Sequence, residues 1–249
     1  MFIERDLKEP FLKASRFFPA MLLVGPRQVG KTTFLRNISE LERKYVTLDN
    51  MLDRDLAKHD PAGFLERYAP PVLIDEIQYA PELLPYIKII IDKARYENAE
   101  TAHNLFWLTG SQQFQMMKGV SESLAGRIGI LEMLGLSQHE LDHTPNVPFL
   151  PDNNFNPAQS SLTTPELFQR IFLGTFPGIV QGGVEQRELF YASYIQTYLE
   201  RDVRDLGSVN DLDRFFRFVR SVAARTAQFV NYADIGRDAD ISVATAKSW

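Results

Sequence analysis

The sequence predicts a three-layer α/β domain on a parallel sheet, followed by a helical domain. Three observations carry this expectation. Short apolar runs alternate with amphipathic stretches as far as Gly135, the runs are continuous rather than alternating, and a glycine-bearing loop joins the first run to a helical stretch.

The runs are AMLLV at 20–24, YVTL at 45–48, VLI at 72–74, LFWL at 105–108 and IGIL at 128–131. Continuous apolar character suits strands buried on both faces, as in a parallel sheet with helices above and below. Between 81 and 96, Leu83, Leu84, Ile87, Ile90 and Ile91 recur at helical spacing, with Lys88, Asp92 and Lys93 between them. Strands alternating with helices imply right-handed crossovers.

At 143–165 the composition changes. Pro145, Pro148, Pro151, Pro157 and Pro165 accompany Asn146, Asn153, Asn154 and Asn156, a mixture poor in helix and strand formers. This stretch reads as a linker between a core at 1–142 and a helical domain at 166–249. Helices are expected there at 185–206 and 211–230. In the second, Leu212, Phe215, Phe216, Val219, Val222 and Ala223 trace one apolar stripe.

Of the 249 residues, 45% are hydrophobic and 24% charged, which excludes a disordered or low-complexity chain. The absence of cysteine excludes a disulfide framework, thiolate-held zinc and a cysteine nucleophile. The four histidines are too scattered to suggest a metal cluster. With 27 basic against 32 acidic residues the net charge is -5, so any nucleic-acid binding must come from a local patch. Glu4, Arg5, Asp6, Lys8 and Glu9 precede any apolar run, which argues against a secretory signal. No segment approaches the ~18 uninterrupted apolar residues of a membrane span. A cytoplasmic location without membrane attachment is expected.

The strongest motif is Gly25-Pro26-Arg27-Gln28-Val29-Gly30-Lys31-Thr32-Thr33, the glycine, four residues, glycine-lysine-serine/threonine pattern of a phosphate-binding loop. Consecutive backbone N–H groups wrap a polyphosphate, and the glycines permit turns that a Cβ forbids. Gly30 stands where a helix begins, so the positive end of the helix dipole faces the anion. Lys31 is placed to reach the β and γ phosphates of a nucleotide, and the Thr32 hydroxyl to ligate Mg²⁺. The run at 72–74 then ends in Asp75 and Glu76. At the carboxyl edge of a parallel sheet, Asp75 holds Mg²⁺ through water while Glu76 polarises an attacking water. Alone, such a pair reads as two solvated acids at a strand end; after a phosphate loop the catalytic reading is preferred. The fourth run ends in Leu108-Thr109-Gly110-Ser111-Gln112-Gln113. A polar side chain here sits between loop and acidic strand, so Ser111 is a candidate γ-phosphate sensor, or else an ordinary turn or cap residue. Together these motifs predict a P-loop NTPase sheet.

The set of motifs resembles a known family. Gly-Pro-Arg-Gln-Val-Gly-Lys-Thr-Thr at 25–33, Leu-Asp at 48–49, Asp-Glu-Ile-Gln at 75–78, Leu-Thr-Gly-Ser-Gln at 108–112 and Ser-Leu-Ala-Gly-Arg at 123–127 are similar to prokaryotic AAA+-type ATPases of the archaeal-type, or AAA domain 14, branch. Tyr-Leu-Glu-Arg-Asp-Val at 198–203 resembles the uncharacterised domain that follows this core. The resemblance covers nearly the whole chain. It implies ATP, rather than GTP, and Mg²⁺ as cofactors; no guanine-reading Asn-Lys-x-Asp run is present. It also implies two roles open to Arg127, a finger toward a neighbouring subunit's γ-phosphate in a homo-oligomer, or a salt-bridging surface residue. No second sensor arginine is identifiable. Glu200, Arg201 and Asp202 form either a charged network at the core interface or a solvated face.

The segment 232–247 resembles a helix-turn-helix. Asp240 is expected in the left-handed turn position and Ser242 at the cap of the second helix. In the family it resembles, such a module often continues into a winged helix, so a helical domain cut short at Trp249 is expected. A packing role and DNA binding are both open. Arg214, Arg217, Arg220 and Arg225 recur along one helix, offset by Asp211 and Asp213, which predicts at most weak, salt-sensitive DNA binding. The leading functional expectation is Mg²⁺-dependent ATP hydrolysis coupled to the helical domain and serving an unknown protein partner. The alternatives are a non-catalytic nucleotide switch, a DNA-associated regulator and a small-molecule kinase.

Overall fold

A computed structural model describes residues 2–110, 119–120, 122–146, 162–198, 209 and 211–249. Five strands, β1 (Ala20–Val24), β2 (Lys44–Thr47), β3 (Val72–Asp75), β4 (Phe106–Gly110) and β5 (Ile128–Glu132), form one sheet in the order β2-β3-β4-β1-β5. Every pair is parallel. Each expected run is a strand. β1 and β4 are buried along their whole length, as their unbroken apolar sequence requires.

The pleat sorts residues into two sets, because side chains alternate between faces and partners in register share one. Leu22 pairs with Leu108 and Ile130, and Ile74 with Val46 and Leu108. This face packs on α3 (Met51–His59), α4 (Pro61–Arg67) and α5 (Leu83–Glu97) through Ala57, Phe64, Leu65, Leu84, Ile87 and Ile91. The other face carries Met21, Leu23, Leu73 and Trp107 and receives α1 (Lys8–Ser15) and α2 (Lys31–Ile38). Phe11 stands edge-on to both Trp107, at 4.9 Å, and Phe34, at 6.0 Å. That anchors α2, and with it the loop from which α2 springs.

Beyond β5, α6 (Gln138–Asp142) opens on a capping box in which Ser137 and Glu140 satisfy each other's backbone N–H. Two helices follow, α7 (Thr164–Leu173) and α8 (Pro177–Gly182). Pro165, read from sequence as the linker's last residue, occupies the first turn of α7, where its fixed φ suits a helix. The chain divides into two compact units, Met1–Gln181 and Gly182–Trp249, so α7 and nearly all of α8 belong with the sheet. Within that unit the Leu136 N–H donates to the Thr175 carbonyl at 2.7 Å, and Arg170 pairs with Asp142 at 2.7 Å.

The second unit holds α9 (Arg187–Tyr198), α10 (Leu212–Ala223), α11 (Tyr232–Ala239) and α12 (Val243–Ser248). The helix expected over 211–230 stops at Ala223, where its apolar stripe also stops. The Thr226 hydroxyl donates to the Ala223 carbonyl at 2.8 Å, and Ala227 turns to φ 64°. Asp240 is left-handed at φ 55°, and the Ser242 hydroxyl accepts from the Thr245 N–H at 3.0 Å, both as expected. Trp249 closes against Phe215 and Phe218 at 5.1 and 5.6 Å. Glu200, Arg201 and Asp202 lie outside the described residues.

Candidate active site

The site lies at the carboxyl ends of β1, β3 and β4. After Val24 the chain must turn away beneath Met133, whose N–H donates to the Val24 carbonyl at 2.8 Å. At φ 146°, a Cβ on Gly25 would sit 2.1 Å from the Met133 carbonyl oxygen, so only glycine fits. Gln28 at φ 62° and Gly30 at φ 94° curl the loop, and Val29 is buried beneath it. Gly30 has no side chain to cap α2, which leaves the first N–H groups of that helix to an anion. Lys31 is buried and folds back, donating from Nζ to the carbonyls of Gly25 and Pro26, each at 2.9 Å. An ammonium held at the loop's centre is positioned for polyphosphate.

Face parity brings the acids to the loop. Asp75 lies on the same face as Leu73, Trp107 and Thr109, the face covered by α2. Its Oδ1 accepts from the Thr32 hydroxyl at 2.8 Å and from the Thr109 hydroxyl. Its Oδ2 accepts from the Tyr45 hydroxyl at 3.3 Å. Burial, and then the neighbouring Asp75 charge, raise the pKa of Tyr45, so its phenol keeps its proton and remains a donor. The Thr109 oxygen accepts in turn from the Glu76 N–H at 3.0 Å, joining both acids to β4. Glu76 is left-handed at φ 61°, and the Gln78 amide donates to its carboxylate. Thr32 and Asp75 present only oxygen ligands, the set Mg²⁺ takes together with phosphate oxygens and water. Among the described residues no cluster of three or more His, Cys, Asp or Glu offers an alternative metal site.

Beside the loop lies a mainly apolar cavity of about 330 Å³ between Phe2, Ile3, Thr33, Phe34, Pro177 and Gln181. One buried cation lines it. Arg5 donates to the Glu140 carboxylate at 3.0 Å, the Val29 carbonyl at 2.9 Å, and the Leu134 and Gly135 carbonyls at 2.6 and 3.1 Å. It ties the N-terminal segment to the loop and to the end of the sheet.

The structure gathers Gly25–Thr33, Asp75 and Glu76 at one end of the sheet. Ser111 lies outside the described residues. Arg127 makes a bidentate pair with Asp92 of α5, at 2.6 and 3.0 Å. Sequence reasoning missed Thr109, Tyr45 and Arg5. The available signals were a hydroxyl at the end of β4 and the Ser137-x-x-Glu140 capping pattern.

Fold and site define an AAA-type P-loop NTPase, a nucleotide-binding, ATPase-like architecture with a helical region after the sheet. The family model described as AAA domain matches residues 18–142, half of the chain, and the chain belongs to that family. A domain of unknown function (DUF8612) matches residues 164–249. Two curated relatives, uncharacterized proteins Rv2008c of Mycobacterium tuberculosis and Mb2031c of Mycobacterium bovis, are each 27% identical over 251 residues. The match takes in 100% of this chain and 51% of each relative, so the chain spans about half their length. Among solved structures, the Walker-type ATPase PABY2304 of Pyrococcus abyssi superposes with a TM-score of 0.50 at 15% identity, covering 99% of this chain and 95% of that one. That likeness is one of fold. Among the described residues no helix is long and apolar enough to cross a membrane.

Proposed function

We propose that the chain binds ATP with Mg²⁺ and hydrolyses it to ADP and phosphate. The observation that carries this reading is the meeting of Thr32, Asp75, Thr109 and Glu76 through three hydrogen bonds at the mouth of the glycine loop. Lys31 would exchange two loop carbonyls for phosphate oxygens, a small movement because Gly25 and Pro26 border the same space. Thr32 and Asp75 would hold Mg²⁺, which neutralises phosphate charge when bound. Glu76 orients the attacking water and accepts its proton. Ser111, directly after β4, keeps the role of γ-phosphate sensor in this reading. The apolar cavity is suited to a purine base, and Pro177 and Gln181 on its wall would let the helical segment respond to nucleotide.

DNA enters only as a weak partner. Arg225, which the structure places just past the end of α10, is committed to Asp238 at 2.6 Å, and Arg214 to Asp211 and Asp240 at 3.2 and 3.1 Å, so two of the four arginines expected along one helix are already paired.

Single-turnover phosphate release tests the proposal. Lys31→Ala should abolish ATP binding, while Glu76→Gln should retain it and lose turnover by about 10²-fold or more. Turnover by Glu76→Gln at the parental rate removes Glu76 from the chemistry, and a parent that releases no phosphate refutes the hydrolytic assignment.

A further inference from the structure

Hydrolysis develops charge on the terminal phosphate, and an arginine commonly meets it. Arg127 cannot do so within its own chain. Its carbonyl accepts from the Ala20 N–H at 3.1 Å, which fixes it at the start of β1, whereas the loop follows the end of that strand. Five residues of strand separate the two by roughly 16 Å. Its guanidinium is moreover held by both oxygens of Asp92.

Besides Arg5, which is held by Glu140 and the Val29 carbonyl, two guanidinium groups stand on the loop side. Arg27 belongs to the loop itself, and its Nη2 donates to the Tyr79 hydroxyl at 3.3 Å. Tyr79 lies on the 3-10 turn Ile77–Tyr79 that Glu76 initiates. Arg54 stacks over the Tyr79 ring at 4.3 Å and is steadied by its own bond to the Leu48 carbonyl at 2.6 Å. One tyrosine therefore gathers two cations between the loop and the acidic turn. Arg54 also lies 4.0 Å from the Asp49 carboxylate, which meets part of its charge, whereas Arg27 belongs to the phosphate loop, and its planar guanidinium fork matches phosphate oxygens.

We propose that Arg27 is a catalytic residue acting in cis, stabilising the charge on the terminal phosphate, with Tyr79 and Arg54 as its positioning residues. This rests on the hydrolytic reading above. In the step concerned, the water oxygen bonds to the γ phosphorus and the bond to the bridging oxygen breaks, leaving its electron pair on ADP. The water proton passes to Glu76. Arg27 forms no covalent bond; its donors follow the charge. The chain then hydrolyses ATP without an arginine from a neighbouring subunit.

The test compares the parent, Arg27→Ala, Arg27→Lys and Tyr79→Phe in full chains, by single-turnover hydrolysis and by the affinities of a non-hydrolysable ATP analogue and of ADP–aluminium fluoride. Arg27→Ala should lower turnover by about 10³-fold and weaken ADP–aluminium fluoride strongly, with analogue affinity within about three-fold of the parent. Arg27→Lys should not restore turnover, because a point charge lacks the fork. Tyr79→Phe keeps the ring for Arg54 and should cost about five-fold, as one lost hydrogen bond does. Specific activity should not change with protein concentration. If the parent turns over and Arg27→Ala matches it, or loses analogue and transition-state affinity equally, the proposal is overturned while the hydrolytic reading stands. Specific activity that rises with protein concentration also overturns it. A parent without turnover removes both.

Discussion

Arg5→Met should destabilise the first unit by about 3 kcal/mol and weaken ATP binding at the same time. The Arg5–Glu140 pair joins side chains that are 6% and 5% exposed, so solvent screens it little. Removing one partner of a buried pair costs about 3–5 kcal/mol. The lower figure applies because Glu140 retains the Asp6 N–H at 2.7 Å and the Ser137 N–H at 2.8 Å. Methionine keeps the stem volume, so little of the loss is packing. For a unit of this size, 3 kcal/mol corresponds to a fall in Tm of roughly 6–12 °C. The same substitution releases the Val29 carbonyl and the segment carrying Phe2 and Ile3, which form loop and cavity wall. ATP affinity should fall by about ten-fold, an energy near that of one charged hydrogen bond. Urea unfolding followed by tryptophan fluorescence reads Trp107 of the sheet and Trp249 of the second unit, and calorimetric titration reads affinity. A change below about 1 kcal/mol, or normal affinity in a destabilised chain, would refute the reasoning. Arg5→Met with Glu140→Gln should recover part of the stability, since no buried carboxylate is then left without its cation.

Gly25→Ala places a Cβ against the Met133 carbonyl and should abolish nucleotide binding, read by calorimetry; retained affinity would show that the loop is free to shift. Thr109→Val removes the hydroxyl that joins Asp75 to Glu76 and should lower kcat by about 10–10²-fold with a smaller change in ATP affinity, measured by steady-state phosphate release. Hydrogen bonding to Arg127 holds the pKa of Asp92 below its usual value, so the pair contributes stability above the ordinary carboxylate pKa and loses it as pH falls through the lowered one. The stability difference between the parent and Asp92→Asn should therefore be constant near neutral pH and vanish in acid, as followed by thermal melts. DNA binding measured by anisotropy should be weak and fade between about 50 and 200 mM salt; a tight complex in high salt would contradict the pairing of Arg214 and Arg225 with aspartates.

What was legible in the sequence depended on how local its physical cause was. The strands showed because burial on both faces demands unbroken apolar runs, and the loop showed because Gly25 and Gly30 answer to backbone geometry alone. Asp75 and Glu76 were readable as the polar end of such a run. The helix expected over 211–230 ends with its apolar stripe at Ala223; Phe229 and Val230 beyond it are exposed, and the Thr226 hydroxyl turns back onto the Ala223 carbonyl. Arg5 was invisible as anything but an N-terminal charge, since its partner Glu140 lies 135 residues away.

Thr109 shows a different limit. Its run is plain in the sequence, but that the Thr109 hydroxyl meets Asp75 depends on the order of strands and the parity of the pleat. With β4 between β1 and β3, a residue on the α2-facing side of β4 meets the acid of β3, while the next residue along points to the opposite face. The same parity places Tyr45 beside Asp75 from the far side, through a strand that carries no motif of its own. A glycine loop is therefore written in consecutive residues, but the Tyr45 and Thr109 hydroxyls that hold the Asp75 carboxylate beside it are written in the sheet. Four residues from four separate segments, Thr32, Tyr45, Asp75 and Thr109, become one group because a shared face leaves their side chains nowhere else to point.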